Sequence, residues 1–324
     1  MRDKLEIEKI EELISELCNE RKSIDKNIPK YLYHFTDILN AVSILKMGCL
    51  GSRNFVLQNE LMQNDNASSE VINITEEENK NFVRFYFRPK TPTQHHNEGL
   101  KSNYKDYDYN SHCPIPIFFL FNSVGILSRE NSKFVERNLA KSPPIKTTIN
   151  DLASFDFQKI YHLGPIYGDR DIIEKRHAEV LVENTCDLDD LEIIVCRSTA
   201  EKELLINQLL ENGIDISNLT IGVDKRSLLF NKSRAYIDYV ELESTFVKIG
   251  FVNFWRLSEK DEIILVLTDH NNNIIKKRNL SILNCQDGIS FKFQNPIEKY
   301  NFRIYLNDIL IYLGKCDKGS EIPY

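Results

Sequence analysis

Three strand-length runs, far apart in the chain, each carry a polar group where a strand would otherwise be apolar or aromatic. They are Tyr31-Leu32-Tyr33-His34-Phe35-Thr36, Phe82-Val83-Arg84-Phe85-Tyr86-Phe87-Arg88 and Ala178-Glu179-Val180-Leu181-Val182. Side chains alternate across a strand, so His34 and Thr36 share one face, and Tyr31, Tyr33 and Phe35 the other. By the same rule Arg84, Tyr86 and Arg88 project together while Phe85 and Phe87 turn to the core. Glu179 is the only polar group of its run, and a carboxylate there is costly unless it has a partner or faces a cleft. Each run also has a plainer reading: a core histidine satisfied by backbone, a solvated strand face, and a strand-edge glutamate in water.

The remaining pattern divides the 324 residues into three parts. Residues 1–30 hold an amphipathic helix over about 2–22, with Leu5, Ile7, Ile10, Leu13, Ile14 and Leu17 at helical spacing. Residues 31–232 alternate strands and helices. Asp37 is placed to cap a helix over 38–47 that Gly48 stops, and Ile115–Phe121, Ile193–Cys196 and Leu219–Val223 read as further strands. Two polar stretches, 58–81 and 94–112, read as loops; the second carries His95, His96, Tyr104, Tyr107 and Tyr109. After about Ser233, seven short apolar or alternating runs recur at regular spacing, which predicts a small all-β, sandwich-like domain over 233–324. The fold class expected is α+β.

Charge is uneven. The net charge of −7 argues against a protein that coats nucleic acid by charge alone. Residues 80–150 nevertheless hold eleven Lys/Arg against five Asp/Glu (+6), and residues 1–79 hold nine against fifteen (−6). A basic middle fits one anionic ligand groove, although composition alone favours a solvated face. The seven cysteines include no Cys-x-x-Cys pair, so neither a disulfide scaffold nor a thiolate metal site is expected. No apolar run reaches membrane-spanning length and the N-terminus has no apolar signal core, so a cytoplasmic location without membrane attachment is expected.

An imidazole and a hydroxyl on one face hydrogen-bond ribose hydroxyls or an amide. Two arginines and a tyrosine grip a pyrophosphate. A carboxylate facing an oxocarbenium-like ribose stabilises the transition state, and can also deprotonate an incoming nucleophile. Together these groups suit an enzyme that holds NAD and cuts its nicotinamide–ribose bond. No Gly-x-Gly-x-x-Gly follows a strand, so NAD is expected as a consumed substrate rather than a resident hydride carrier.

Three segments carry a resemblance: Tyr33-His34-Phe35-Thr36 with Asn40, Phe85-Tyr86-Phe87-Arg88-Pro89-Lys90-Thr91-Pro92, and Arg176-His177-Ala178-Glu179-Val180-Leu181-Val182. In this order they resemble the DarT-type ADP-ribosyltransferases, toxins that attach ADP-ribose from NAD to a base in single-stranded DNA. The resemblance implies an ADP-ribosyltransferase-like split β core over residues 31–232. It implies that His34, Thr36 and Asn40 seat NAD and that Glu179 is catalytic. The family's arginine position is Lys90 here, which keeps the charge but loses the bidentate fork; Arg88 is the candidate to compensate. Arg84 and Tyr86 join the expected NAD site. Tyr104, Tyr107, Lys101 and Arg176 are the candidates to stack on and steer a DNA strand. Thr91-Pro92-Thr93-Gln94, His96-Asn97-Glu98-Gly99 and His177-Ala178-Glu179-Val180 look more like the guanine-modifying than the thymine-modifying branch. The family also implies a toxin–antitoxin pair, with a macrodomain hydrolase as one form of antitoxin, and a role in phage defence. Transfer to RNA or protein, or a non-catalytic binding module degenerate at Lys90, remain the alternatives.

Overall fold

A computed structural model of the chain describes residues 1–21, 25–65, 69–107, 111–285 and 288–317. Tyr109 and Asn66, read above as parts of the two polar loops, lie outside these residues.

Helix α1 (Lys4–Asn19) starts where the Asp3 carboxylate accepts from the Glu6 N–H, and buries Ile10, Ile14 and Leu17. The cap fixes the start two residues later than the hydrophobic period suggests. Arg2 ties this end to the core by donating to the Leu127 and Ser132 carbonyls. Strand β1 (Tyr31–Asp37) leads directly into α2 (Ile38–Met47). The Asp37 carboxylate accepts from Leu39 N, and Gly48, at φ +77°, takes the left-handed position that ends the helix. Then follow β2 (Cys49–Gly51), α3 (Arg53–Gln58), α4 (Ser69–Ile74), β3 (Phe82–Tyr86), α5 (Pro92–Asn97), β4 (Pro116–Asn122) and α6 (Ser123–Leu127). Next come β5 (Ser132–Val135), α7 (Ile149–Ala153), α8 (Phe157–Ile160), α9 (Arg170–Lys175), β6 (Glu179–Glu183), β7 (Thr185–Asp187), β8 (Leu191–Cys196), α10 (Thr199–Glu211) and β9 (Ile221–Val223).

Seven of these strands form a mixed sheet in the order β5-β6-β3-β1-β4-β8-β9. All its pairings are antiparallel except β8–β9. The sheet is split in the middle. β1 pairs with β4 along its whole length, from Tyr31↔Asn122 to Asp37↔Pro116, and β3 pairs with β6 along all of its own. Between β1 and β3 the described residues give a single pair, Tyr33↔Tyr86. Beyond it the strands diverge, so His34–Thr36 and Phe82–Arg84 face each other across a gap instead of a ladder. This is the architecture of an α+β core with a split sheet.

The last seven strands are β10 (Tyr236–Leu242), β11 (Phe246–Val252), β12 (Ile263–Thr268), β13 (Ile274–Leu280), β14 (Ile289–Lys292), β15 (Lys299–Leu306) and β16 (Ile309–Asp317). They form two antiparallel sheets, β10-β11-β14 and β13-β12-β15-β16. On β15, Tyr300, Phe302, Ile304 and Leu306 are buried at period two. Phe302 meets Phe291 of the other sheet with ring centroids 6.1 Å apart. Helix α10 seals this unit to the split sheet: the Tyr312 hydroxyl donates to Glu203 Oε2 (2.6 Å), and Asn207 Nδ2 donates to the Leu313 carbonyl (3.1 Å). Among the described residues no helix is long and apolar enough to cross a membrane.

Candidate active site

The gap between β1 and β3 opens into a cavity of about 270 Å³. Its walls are β1, β3, α2 and residues of the 50–65 and 72–80 segments, and His34, Thr36, Asn40 and Arg84 all line it. A volume near the lower bound for small-ligand pockets, roughly 300–1,000 Å³, takes part of a dinucleotide and leaves the rest outside. Gly51 is fixed at its rim by space: a Cβ there would lie 2.6 Å from Val56 Cγ1.

His34 bridges the split. Its Nδ1 lies 3.1 Å from the Arg84 carbonyl, and a carbonyl only accepts, so Nδ1 carries the proton and Nε2 is left as an acceptor. Burial lowers the pKa of this ring, against the opposing pull of the Arg84 carbonyl, and favours the neutral form. The Thr36 side chain is buried, and among the described residues its hydroxyl has no hydrogen-bond partner. Asn40 is spent on the protein itself: Oδ1 accepts from the Gln63 and Asn64 N–H groups (3.0 and 3.1 Å), and Nδ2 donates to the Asn64 carbonyl (2.7 Å). It therefore shapes the cavity wall.

Three lining cations set the cavity's charge. Arg53 pairs with Asp65, and Lys80 with Glu77. Arg84 donates to the Asn79 carbonyl at 3.3 Å, and no described carboxylate comes within ion-pair distance of it. Its charge instead acts on Glu179, one strand over.

Glu179 does not line the cavity. It is 1% exposed and pairs with Tyr86 across β6–β3. Its Oε2 accepts from the Leu139 N–H at 3.0 Å, and the Tyr86 hydroxyl bonds its carboxylate. Burial raises the Glu179 pKa, while Arg84, the Leu139 N–H and Tyr86 pull it back. Tyr86 is held neutral by burial first and by the Glu179 charge second. Its hydroxyl also bonds Thr93, whose Oγ1 lies 3.4 Å from His177 Nδ1. Burial pushes the His177 ring down to about 4, helped by the Lys141 charge. The structure thus forms two adjoining groups, His34–Thr36–Arg84 on the cavity and Arg84–Tyr86–Glu179–Thr93–His177 behind it. Arg84 belongs to both.

Other expected positions lie elsewhere. β3 ends at Tyr86, so Arg88 does not share a strand face with Arg84. It is buried, donating to the carbonyls of Pro89 (3.0 Å), Ile160 (3.1 Å) and His162 (2.6 Å). Burial lowers its pKa to about 9, with Arg176 and Arg21 adding repulsion. Lys90 sits at φ +56° and donates to the Ser227 carbonyl at 2.6 Å. Arg176 donates to the Gly164 carbonyl (3.0 Å) and lies 2.9 Å from His162 Nδ1. Lys101 is buried, not a free surface cation, and Tyr107 is wedged between it and Arg234 at 5.0 and 5.1 Å. Tyr104 alone of the four strand-steering candidates is strongly exposed, at 57%.

The basic middle is not one open groove. Lys133 pairs with Glu183, Arg137 with Asp171 and Glu174, and Arg129 with Asp187 and Asp190. Surplus in sequence is matched by acids from later in the chain.

One polar device has a structural role that the sequence reading missed. Thr91 Oγ1 accepts from Gln94 N at the start of α5, with Pro92 at the first helical position. Gln94 Oε1 accepts from Lys90 N, and its Nε2 donates to Glu98 Oε2 and the Leu229 carbonyl. Glu98 in turn accepts from Asn231 and Lys232. The signal was present: Thr-x-x-Gln with proline at the first turn is a helix-start signature. The segment quoted above for base preference is therefore largely a buried latch between α5 and the 229–232 linker.

A family described as "ssDNA thymidine ADP-ribosyltransferase, DarT" matches residues 33–225, more than half of the chain. The chain belongs to the DarT family of ADP-ribosyltransferases. The match spans both groups of site residues and stops before β10. Among solved structures, the fold is similar to Thermus sp. 2.9 DarT in complex with ADP-ribosylated ssDNA. Identity is 18%, coverage is 61% of this chain and 95% of that one, and the TM-score is 0.50. Thermus sp. 2.9 DarT in complex with NAD+ matches at 18% identity, covering 61% of this chain and 96% of that one, with TM-score 0.48. Thermosipho africanus DarTG in complex with ADP-ribose matches at 15% identity, covering 64% and 53%, also with TM-score 0.48. A comparison with curated proteins finds no match. The likeness to the complex with ADP-ribosylated ssDNA supports the fold and no residue's role.

Proposed function

We propose that this DarT-type enzyme consumes NAD and transfers its ADP-ribose to a base in single-stranded DNA, releasing nicotinamide. The observation that carries this reading is Arg84, which faces the cavity between the split strands and also polarises Glu179. In this scheme the pyrophosphate lies against the Arg84 guanidinium, the cavity cation with no carboxylate partner among the described residues. Thr36 and the His34 Nε2 meet hydroxyl or amide groups of the substrate. The C1′–N bond to nicotinamide breaks with its electron pair going to the nicotinamide nitrogen. The Glu179 carboxylate faces the developing oxocarbenium charge and takes the proton of the attacking base. Glu179 is closed off by the Leu139 N–H and Tyr86, so substrate must shift the 139–141 turn to reach it. Water is kept from the carboxylate until then. Arg88 and Lys90, both bonded to backbone carbonyls, support the turn that carries α5 rather than contacting NAD.

Guanine is the base we favour, because the His177–Val180 segment, which carries Glu179 and adjoins Thr93, resembles the guanine-modifying branch; the family description names thymidine. The reading also carries with it a cognate antitoxin, of which a macrodomain hydrolase is the form the resemblance implies. Incubation with NAD and single-stranded oligonucleotides lacking one base at a time, followed by mass spectrometry, tests both levels. An adduct of one ADP-ribose that disappears only from the guanine-free strand is expected. An adduct that disappears only from the thymine-free strand refutes the base assignment. Modification of RNA or protein fractions without any DNA adduct refutes the acceptor class.

A further inference from the structure

The sequence after residue 225 lies outside the family match, and it contains the chain's only tryptophan, Trp255. Trp255 is 59% exposed on a short 3₁₀ turn, Phe254–Arg256, that follows β11. The turn is rigidly built. Phe254 is fully buried against Phe251 (ring centroids 4.4 Å apart), and Leu257 is buried on the other side. Asn253, at φ +55°, donates from Nδ2 to the Lys232 carbonyl at 3.0 Å. Two buried anchors thus hold one large aromatic ring out in water, where it gains nothing for the fold.

The surroundings of this ring are cationic and aromatic. The Arg256 guanidinium lies 4.7 Å from the Trp255 ring centroid. The 101–107 loop is fastened to the same turn, because Lys105 Nζ donates to the Arg256 and Leu257 carbonyls. That loop presents Tyr104, 57% exposed, with the Lys260 ammonium 5.9 Å from its ring. The exposed acids of these two segments are Asp106 and Glu259. Asp261 is buried and occupied by the N–H groups of Asn103 and Ser258. Exposed rings interleaved with cations are what single strands use: bases stack on the rings and phosphates follow the charges.

The position relative to chemistry is also defined. Helix α5 has Thr93, which meets Tyr86 and His177, near its start. Near its end the His96 carbonyl accepts from Arg234, which in turn lies against Tyr107. A six-residue helix is about 9 Å long, so Arg234 and Tyr107, at the base of the 101–107 loop that carries Tyr104, lie about one short helix from the Glu179 network.

We propose that Trp255 and Tyr104, with Arg256, Lys105 and Lys260, form a stacking platform for single-stranded DNA flanking the base to be modified. It makes the C-terminal β unit part of the substrate site. This rests on the acceptor class proposed above.

Trp255 reports on itself. Titrating the full chain, without NAD, with a mixed-sequence single-stranded oligonucleotide should quench its emission saturably. Trp255→Ala should weaken binding of a labelled oligonucleotide about 5- to 150-fold, the range of one lost base–aromatic stack. Trp255→Phe should restore most of it. In the transfer reaction Trp255→Ala should raise KM for the oligonucleotide and leave kcat and the KM for NAD unchanged. Lys260→Ala should lower the slope of log affinity against log salt by about one. Wild-type transfer with no quench, and an unchanged oligonucleotide KM in Trp255→Ala, overturns the platform while the transferase reading stands. Quench and Trp255-dependent binding without transfer by any strand leaves the platform and sinks the transferase reading. Equal or tighter quenching by duplex DNA or by RNA overturns the assignment to single-stranded DNA.

Discussion

Replacing Glu179 by glutamine and by alanine separates its chemical role from its structural one. Glutamine keeps the volume and an oxygen for the Leu139 N–H, 3.0 Å away. The Tyr86 hydroxyl can rotate to accept from the new amide. It also removes a buried charge whose ionisation burial opposes. Glu179→Gln should therefore unfold at the wild-type temperature or slightly above. Alanine strands two buried donors, the Leu139 N–H and the Tyr86 hydroxyl, at about 1–3 kcal/mol each. Relief of the carboxylate's own burial offsets part of this, leaving roughly 2–3 kcal/mol, or about 3–5 °C in Tm for a chain of this size. Both variants lose the charge proposed to face the ribose cation, so both should lose about 10²- to 10⁴-fold in kcat for transfer. Thermal unfolding by circular dichroism and nicotinamide release, read with transfer, give the two quantities. Retention of more than a tenth of wild-type turnover in Glu179→Gln would remove Glu179 from the chemistry. Equal destabilisation by glutamine and alanine would show that the hydrogen bonds at 139 and 86 are not what holds the carboxylate.

The remaining expectations concern the other site groups. Because burial raises the Glu179 pKa, the acid limb of the transfer rate should lie above the ordinary carboxylate range; Arg84→Met, which removes the opposing positive charge, should move it further up. A limb that stays in place in Arg84→Met contradicts the coupling. The stability sign is opposite: a raised folded-state pKa favours the protonated form, so Glu179's contribution is full at low pH. It fades as pH rises through the folded value, and a wild-type minus Glu179→Gln stability difference that grows with pH would refute this. Thr36→Val should raise KM for NAD about five- to tenfold with kcat and Tm unchanged, since the hydroxyl makes no internal bond; an unchanged KM rules out contact. Arg88→Lys should lower Tm without lowering specific activity of the folded protein, because its guanidinium serves three backbone carbonyls; loss of activity at full stability would return it to the active site.

Period and capping residues made the elements legible. Asp37 and Gly48 bracket α2 as their chemistry requires, and the seven terminal strands follow their apolar runs. The site was legible only as a set of residue types. Alternation correctly put Arg84 and Tyr86 on one face of β3, but it assumed that the strand continues to Arg88. Pro89 and the turn behind it end the pairing at Tyr86, and two residues past a strand end the period-two rule carries no information. Ionic surplus misleads for a related reason. Lys133, Arg137 and Arg129 look unmatched within residues 80–150, yet their acids arrive from β6, α9 and the 187–190 turn, which only the sheet order brings near. Arg84 shows the converse: nothing local distinguishes it from Arg88. What separates them is the split between β1 and β3, which leaves Arg84 beside a void with no described carboxylate at ion-pair distance while Arg88 meets the carbonyls at 160 and 162. Among the described residues a single strand pair, Tyr33↔Tyr86, therefore decides which arginine faces the cavity. No propensity within either strand encodes that divergence; it follows from β1 spending its full length on β4 and β3 on β6.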